Sequence, residues 1–347
     1  MLFPPIGHDF RQDRHLVAIA AKIEVVTSPA DPTNVEDFPY GPVDPRDEGN
    51  HPAGPELLWN ESYYLDFTAD DGSIGGYVRV GRYPNLGVIW YWACIVGRDR
   101  KLVTVIDNAV PFPKSYESLE IRSDGLWADH HVPEPLERFT LGLEAFGVTL
   151  DDPGQTYHGL RGDPTALGFD LEWETDGTPF LWPAVVDRYE IPCRVHGEIL
   201  IGDERIEFEG PGQRDHSWGV RDWWNPAWCW TAFRLDDGTR IHAVTILPAS
   251  QYSVGYWQPP SGGVQVIEQF EAVPVLGADE IPTSADLVVN GLAFSVEPLG
   301  WSPVLLESPD GEFARFPRAM AQFSAADGRS GIGWIEFNQP PFRVPES

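Results

Sequence analysis

Short apolar or alternating segments, each bounded by turn residues, run along most of the chain. They read GYVRVGRY, GVIWYWACIVG, LVTVIDNAV, RVHGEILIGDERIEFEG, WCWTAFRLDDGTRIHAVTIL, SADLVVNGLAFSVEP and GIGWIEFN. Alternation over a few residues with glycine or proline at the ends is typical of strands. Within them, IGDERIEFEG and LDDGTRIHAV have the turn residues of hairpins. The pattern predicts an all-β protein, with helices only near residues 11–22 and 134–140.

An internal repeat indicates how these strands are organised. HPAGPELLWN (51–60) and HSWGVRDWWN (216–225) share His, Gly, Trp and Asn at one constant spacing. Each then continues through aromatic residues to an Asp-Asp-Gly turn, as YYLDFTADDG and WCWTAFRLDDG. Two similar β modules in tandem, as barrels or sandwiches, would explain this repeat, and the length of 347 residues also favours two domains. We expect one module in residues 1–190 and the other in residues 191–347.

Composition narrows the classes of partner. A formal net charge of −29 and a pI near 4.5 argue against nucleic acids and anionic membranes, which bind clustered Lys and Arg. The longest apolar run, VIWYWACIV, is too short to span a bilayer, and the N-terminus has no signal-peptide pattern. The three cysteines, Cys94, Cys193 and Cys229, are far apart in the sequence, which favours a protein of a reducing compartment. We expect a cytoplasmic protein with a small-molecule partner, and the oligomeric state stays open.

Candidate chemistry is concentrated in GPGQRDHSWGVRDWW, residues 210–224. If this segment is extended, alternation puts Arg214, His216 and Trp218 on one face, and Asp215 and Ser217 on the other. The two arginines of the motif, Arg214 and Arg221, are best interpreted as partners in buried ion pairs. Asp215, His216 and Asp222 are candidate catalytic residues, because an acid enclosed by aromatic rings can have its pKa raised enough to donate a proton. A structural role for these three residues is equally open. The first copy of the repeat lacks these arginines and aspartates.

Aromatic residues surround the same motif. Tryptophans are most often core residues, but a wall of indole rings would also suit a flat unsaturated ligand or a developing carbocation. We take the following as candidate substrate-binding residues: Arg214, Trp218, Arg221, Trp223, Trp224, Trp228, Trp230, His242, Tyr64 and Trp90. The interface between the two modules is the expected pocket.

Cofactor motifs are absent from the sequence. It contains no G-x-G-x-x-G after a strand, no P-loop, no H-E-x-x-H and no G-x-S-x-G. Asp129-His130-His131 resembles a metal-binding fragment, but no third ligand lies at a recognisable spacing, so a solvated turn is the better interpretation. We expect no cofactor and no metal.

The motif G-x-G-Q-R-D-H-S-W-G-x-R-D-W resembles the signature of the AttH-like and carotenoid 1,2-hydratase (hydroxyneurosporene synthase) superfamily, and most closely its uncharacterised bacterial branch. The resemblance is strongest over residues 196–245, and WNESYYLDF with GGYVRVGRYPN fits the same branch. It implies two lipocalin-like β-barrel domains in tandem. It also implies cofactor-free chemistry on hydrophobic, often terpenoid, substrates, either hydration of a double bond or, in related fungal pericyclases, cycloaddition.

Three functional hypotheses follow. The first is a hydratase, a related lyase or an isomerase, in which Asp215 or Asp222 protonates an alkene and His216 or a carboxylate orients the water. The second is a pericyclase that acts by shape and a hydrogen-bond donor. The third is a non-catalytic carrier of a lipid or terpenoid, in which the Arg-Asp pairs only hold the fold.

Overall fold

The computed structural model describes residues 39–184, 186–247, 252–308 and 310–339. The strands are β1 Trp59–Thr68, β2 Gly75–Tyr83, β3 Val88–Gly97, β4 Arg100–Pro111, β5 Glu120–Ser123, β6 Leu126–Glu134, β7 Arg138–Leu150, β8 Asp163–Thr175, β9 Phe180–Leu181, β10 Asp187–Ile201, β11 Glu204–Val220, β12 Ala227–Leu235, β13 Arg240–Leu247, β14 Ser253–Gln258, β15 Gln265–Val266, β16 Phe270–Leu276, β17 Pro282–Val289, β18 Leu292–Trp301, β19 Val304–Glu307, β20 Phe313–Phe316, β21 Arg318–Ala325 and β22 Ser330–Asn338. Among the described residues the helices are short 3-10 turns, at Pro45–Glu48, Pro153–His158 and Ala278–Glu280. The all-β prediction is confirmed. Within the described ranges, no helix has the length and apolar character needed to cross a bilayer.

The first sheet closes on itself. Its described strands follow the antiparallel order β4-β3-β2-β1-β11-β10-β8-β7-β6-β5, and β9 also pairs with β10. An additional pairing joins β4 to β7, where Leu102 lies opposite Leu150. This pairing makes the sheet a barrel, which we call the first barrel.

The second sheet follows the same plan with fewer strands. Its described order is β15-β14-β13-β12-β22-β21-β18-β17-β16. Its two ends approach each other at Ser253, whose hydroxyl donates to the carbonyl of Phe270 and accepts from its N–H. We call this sheet the second barrel, and the hairpin β19–β20 lies outside it. Two lipocalin-like modules in tandem are thus confirmed, and both predicted hairpins form, at β10–β11 and β12–β13.

The change from one sheet to the other falls later than residue 190. That position lies inside β10, and both β10 and β11 pair within the first sheet. Strand pairing places the change of sheet between Val220 and Ala227. The RDHSWG motif therefore belongs to the first barrel as its last strand, not to the second. The repeat in the sequence spans this junction, because β11 leads directly into the strand that begins the second barrel.

One predicted helix is wrong and another lies outside the described residues. Residues 134–140 contain the end of β6, a tight turn and the start of β7. Leu136 has a φ of 64°, which a right-handed helix excludes. Residues 11–22 lie outside the described part of the chain.

Three apolar layers build the core, one inside each barrel and one between the two barrels. Strand alternation divides β1 between two of them: Tyr63, Leu65 and Phe67 point into the first barrel, whereas Tyr64 points between the barrels. The region between the barrels, which we call the inter-barrel layer, receives side chains from both sheets.

Candidate functional site

Strand β11 carries the motif and divides it between two environments. Arg214 and His216 point into the first barrel, and Asp215 and Ser217 point into the inter-barrel layer, as alternation predicted. Because β11 is paired on both sides, by β1 and β10, its faces are separated by the sheet itself. Asp215 and His216 consequently cannot contact one small substrate together.

On the inter-barrel face, Asp215 is part of a buried ion-pair cluster. Arg188 donates from Nη2 to Asp215 Oδ2 at 2.7 Å and from Nε to Glu190 Oε1 at 2.7 Å. Burial raises the pKa of Asp215 to about 6, against the opposing attraction of Arg188. Asp215 thus has the pKa of a group able to hold and release a proton near neutral pH.

Glu190 connects this cluster to the second barrel. It accepts from Gln213 Nε2 at 2.9 Å and from Trp230 Nε1 at 3.3 Å, and it lies 3.3 Å from His242 Nε2. Burial raises the pKa of Glu190, and burial together with Arg188 lowers the pKa of His242. His242 Nδ1 lies 3.1 Å from the carbonyl of Thr231, so Nδ1 carries the proton in a neutral His242, and Nε2 has no hydrogen-bond partner within the described ranges.

Several buried polar atoms of the inter-barrel layer have no hydrogen-bond partner among the described residues. Trp182, whose ring lies 4.8 Å from the Arg188 guanidinium carbon, leaves its Nε1 unpaired, as do Trp224 Nε1 and the Tyr252 hydroxyl. Buried polar groups are nearly always paired in folded proteins. Such a group of unpaired donors indicates where a ligand with acceptor atoms could bind.

Arg79 is a second buried cation in the same layer. Its guanidinium carbon lies 4.5 Å from the Trp92 ring and 4.8 Å from the Trp223 ring, and both Nη atoms lack a hydrogen-bond partner in the described ranges. Burial lowers the pKa of Arg79. Arg221, which donates to Ser217 Oγ at 3.1 Å, has its pKa lowered to about 9 by burial and by its arginine neighbours. Arg79 and Arg188 therefore both lie close enough to Arg221 to repel it.

Sequence reasoning missed several charged residues of this layer, among them Arg79, Arg188, Glu190 and Arg318. Arg318 pairs with Glu336 and lies 4.0 Å from the Tyr64 ring. Arg79 and Arg318 come from β2 and β21, far from the motif in sequence, whereas Arg188 and Glu190 come from β10, the hairpin partner of the motif strand. A charged residue inside an otherwise apolar strand, as in GYVRVGRY, is the signal that could have identified Arg79.

A small cavity of about 30 Å³ lies between the barrels, lined by Asp66, Gln213 and Tyr256 among others. This volume is enough for one water molecule. Burial raises the pKa of Asp66 well above its ordinary value, and Asp66 accepts from Tyr64 and from the Gln213 backbone. Gln213 links the cavity to Glu190, so a water here would adjoin the ion-pair cluster.

The predicted aromatic candidates mostly meet in the inter-barrel layer. Those placed there are Tyr64, Trp90, Trp223, Trp224, Trp228, Trp230 and His242. Trp223 donates to Tyr83 at 2.9 Å and Trp228 donates to Glu336 at 3.1 Å. Trp218 is separated from this group. It lies at the end of the first barrel and stacks on His51, with 3.6 Å between the ring centroids.

Asp222 lies on the exposed loop after β11 and accepts from the backbone N–H of Trp224 at 2.9 Å. This contact is that of a turn residue. Because the loop is open to solvent, Asp222 lacks the enclosure that the expected acid requires, and we do not retain it as a candidate.

On the barrel side, Arg214 and His216 belong to a different cluster. Arg214 Nη1 donates to Glu48 at 2.6 Å, and Tyr189 donates to the same carboxylate oxygen. His216 stacks on Tyr63, with 4.0 Å between the ring centroids, and His216 Nδ1 lies 2.7 Å from the carbonyl oxygen of Asp47. Arg214 is thus in a buried ion pair, as expected, although its partner is not an aspartate.

His51, Glu61 and His216 bring three ligand atoms within 4.8 Å of one another, a set that could hold a transition metal. Glu61 accepts from Arg82 Nη1 at 3.0 Å and from His51 Nδ1 at 2.9 Å. Although burial favours the protonated acid, hydrogen bonds from His216 and His51 lower the pKa of Glu61 to about 2. Because hydrogen bonds from His51, His216 and Arg82 already occupy both oxygens of this carboxylate, the contacts favour an ion-pair cluster.

Solved structures with a similar fold include an AttH protein from Nitrosomonas europaea, which is 16% identical with a TM-score of 0.60 over 90% of this chain and 99% of that one. Kievitone hydratase from Nectria haematococca is 11% identical, with a TM-score of 0.54 over 89% of this chain and 96% of that one. CghA is 10% identical, with a TM-score of 0.51 over 83% and 90%. At these identities the similarity establishes an AttH-like fold, as the motif predicted.

No curated protein sequence matches the chain. A family model described as a domain of unknown function, DUF7064, matches residues 44–341, which include both barrels. The chain therefore belongs to the DUF7064 family.

Proposed function

We propose that the protein is a cofactor-independent enzyme that adds water to, or removes it from, a carbon–carbon double bond of a hydrophobic small molecule. Asp215 is the proton donor. The substrate, a terpenoid, steroid-like molecule or polyketide, binds beside it in the inter-barrel layer after the packed aromatic rings there separate, because the cavity of about 30 Å³ has room for only one water molecule. The observation that carries this proposal is the buried Asp215 carboxyl, whose pKa of about 6 keeps it partly protonated near neutral pH.

The proposed reaction needs one acid, one water and an apolar surface. Asp215 transfers its proton to one alkene carbon, and the positive charge develops on the neighbouring carbon. The rings of Trp230 and Trp182 stabilise this cation, since an indole face attracts positive charge. A water molecule, for which the cavity beside Gln213 has room, forms the new C–O bond. That water then loses a proton, which returns Asp215 to its acid form.

The neighbouring structures support the same class of reaction. One of the proteins with this fold is named a hydratase. The fold alone does not define a reaction, so the residues of the inter-barrel layer carry the argument. Their mixture of aromatic rings, unpaired donors and buried acids suits an apolar substrate with an oxygen-bearing group.

A metabolite extract incubated with the purified protein tests the proposal. We expect mass spectrometry to find a pair of metabolites that differ by one water, one consumed and the other formed. Asp215→Asn should keep binding and lower kcat by about 10²- to 10⁴-fold, as expected for loss of a general acid. Asp222→Asn is the matched control, because it removes the same charge from the exposed loop nearby and should leave kcat unchanged.

The pH dependence provides a second test. Because Asp215 must be protonated to donate, kcat should fall about tenfold per pH unit above about 6. Full activity of Asp215→Asn, or a rate independent of pH between 5 and 8, would contradict the proposed acid.

Two other functions predict different outcomes. A pericyclase would use the unpaired guanidinium of Arg79 to polarise its substrate, so that a product of unchanged mass forms and Asp215→Asn retains activity. A carrier would use the unpaired Trp182 and Tyr252 groups for binding alone, and the ligand would be recovered unchanged. Native mass spectrometry of the protein with the extract distinguishes these outcomes.

A further inference from the structure

A pocket of about 660 Å³ opens at the end of the first barrel. Glu48, Asn50, Tyr63 and His130 are among its lining residues. Its volume is typical of small-molecule sites. Tyr63 points to the interior face of the first sheet, so the pocket is separated from the inter-barrel layer by the sheet itself. It is thus independent of the reaction proposed at Asp215.

Glu48 has a buried carboxylate oxygen with no partner within the described ranges. Its Oε1 accepts from Arg214 and Tyr189, whereas its Oε2 accepts no hydrogen bond there. Glu48 is 4% exposed. Leaving a buried carboxylate oxygen unpaired costs free energy, so a donor from a bound molecule would be favourable here.

His130 provides a second unpaired acceptor. Its Nδ1 lies 3.1 Å from the carbonyl of Leu119, which can only accept, so Nδ1 carries the proton. Burial lowers the pKa of His130 to about 4, which leaves Nε2 as a bare lone pair near neutral pH. That atom is buried and has no partner among the residues that the structure describes. The Asp129-His130-His131 segment is part of strand β6, not the solvated turn expected, and this strand directs His130 inward.

The outer part of the pocket is acidic. Glu117, Glu120 and Asp129 also line it, and His131 lies 2.9 Å from Asp129. The chain as a whole carries a formal charge of −29. The pocket thus combines two buried acceptors with negative potential, which favours a ligand that brings donors and positive charge.

We propose that the pocket at the end of the first barrel binds a small organic ammonium, whose N–H groups donate to Glu48 Oε2 and His130 Nε2. A primary ammonium has three N–H donors, and a diammonium has three at each end of its chain. One molecule can therefore donate to both Glu48 Oε2 and His130 Nε2. The aromatic ring of Tyr63 would contact the carbon chain of the ligand.

Isothermal titration calorimetry of the full chain at low salt tests this site with three four-carbon probes. Putrescine carries two ammonium groups, 1,4-butanediol carries two neutral hydroxyls, and succinate carries two carboxylates. We expect putrescine to bind, butanediol to bind at least about tenfold more weakly, and succinate not to bind, because hydrogen bonds to charged groups are about twice as strong as neutral ones.

Variants locate the binding. Glu48→Gln and His130→Phe should each weaken putrescine binding about tenfold or more, since each removes one acceptor. The phenyl ring of the second variant keeps the ring packing that His130 makes with Tyr91 and Phe139, so this variant remains informative if Glu48→Gln fails to fold. Glu144→Gln, an exposed position on β7 that does not line the pocket, is the control for the loss of one negative charge.

The proposal is overturned by any of three results. These are no putrescine binding at millimolar concentration, equal weakening by Glu144→Gln, and butanediol binding as tightly as putrescine. The second result would mean general attraction to an acidic protein, and the third would mean a site for neutral polyols. None of these results depends on activity at Asp215.

Discussion

The two barrels follow one plan but fill their interiors differently. In the first barrel, Tyr63 on β1 lies opposite His216 on the neighbouring β11. The repeat aligns Tyr63 with Cys229 of β12, which lies opposite Phe337 of β22. By the same register, Arg214 of the first barrel corresponds to Ile335 of the second. Where one barrel holds a cationic side chain and an imidazole, the other holds two apolar side chains.

This difference separates stability from recognition. In the second barrel, Phe233 stacks on Phe323 at 4.0 Å inside a continuous apolar core. Buried ion pairs such as Arg214 with Glu48 contribute little net stability compared with apolar packing of the same volume. The polar interior of the first barrel is therefore better explained by ligand binding at its open end, while the second barrel supplies a packed support.

The outer faces of the two barrels are more alike. Tyr64 of the first barrel corresponds to Trp230 of the second, and their cross-strand partners are Asp215 and Glu336. The next strand adds Glu190 beside Asp215 and Arg318 beside Glu336. Both barrels thus direct charged residues and aromatic rings at the same layer, which is where we place the reaction.

The largest expected effect comes from breaking the buried pair in the first barrel. Arg214→Met leaves Glu48 charged and unpaired, which should lower the free energy of unfolding by about 3–5 kcal/mol. Ile335→Met at the equivalent position of the second barrel should cost less than about 1.5 kcal/mol. Urea unfolding at pH 7 measures both. Adding Glu48→Gln to Arg214→Met should recover part of the loss, and equal costs for the two single variants would remove the proposed contrast.

A second prediction uses pH. The folded pKa of Glu61 is about 2, below the ordinary value of 4.5, so its stabilising contribution is present above pH 4.5 and is lost as pH falls towards 2. From the size of this shift, about 3 kcal/mol of stability should disappear in that window. Glu61→Gln should lack this component. Parallel stability curves for the wild type and the variant between pH 5 and 2 would contradict the ion-pair cluster.

The smallest effect is expected from transferring a polar residue to the second barrel. Phe337→His places an imidazole where the surrounding core is apolar, and the unpaired polar group should cost about 1–3 kcal/mol beyond the cost of Phe337→Leu. Thermal unfolding of the two variants gives the difference. If histidine is tolerated as well as leucine, the two barrel interiors are more similar than their sequences indicate.

Much of the architecture was predictable because its signals are local. The alternation of RDHSWG placed Arg214 and Asp215 on opposite faces of a strand, and the structure has them so. Turn residues located the hairpins, and the repeat indicated two modules. Residues 134–140 misled the prediction, because a turn that requires a positive φ at Leu136 has no recognisable local signal when glycine is absent there.

The sequence by itself determined the class of fold, its division into two similar barrels and the faces on which the motif residues lie. Only the tertiary structure decided that the motif strand belongs to the first barrel, that Asp222 is exposed, and that Asp215 meets Arg188 while His216 meets Glu61. The physical reason is that side-chain direction follows from the two-residue period of a strand, whereas charge partners come from neighbouring strands. Those pairings depend on register and closure, which no local stretch of the chain specifies.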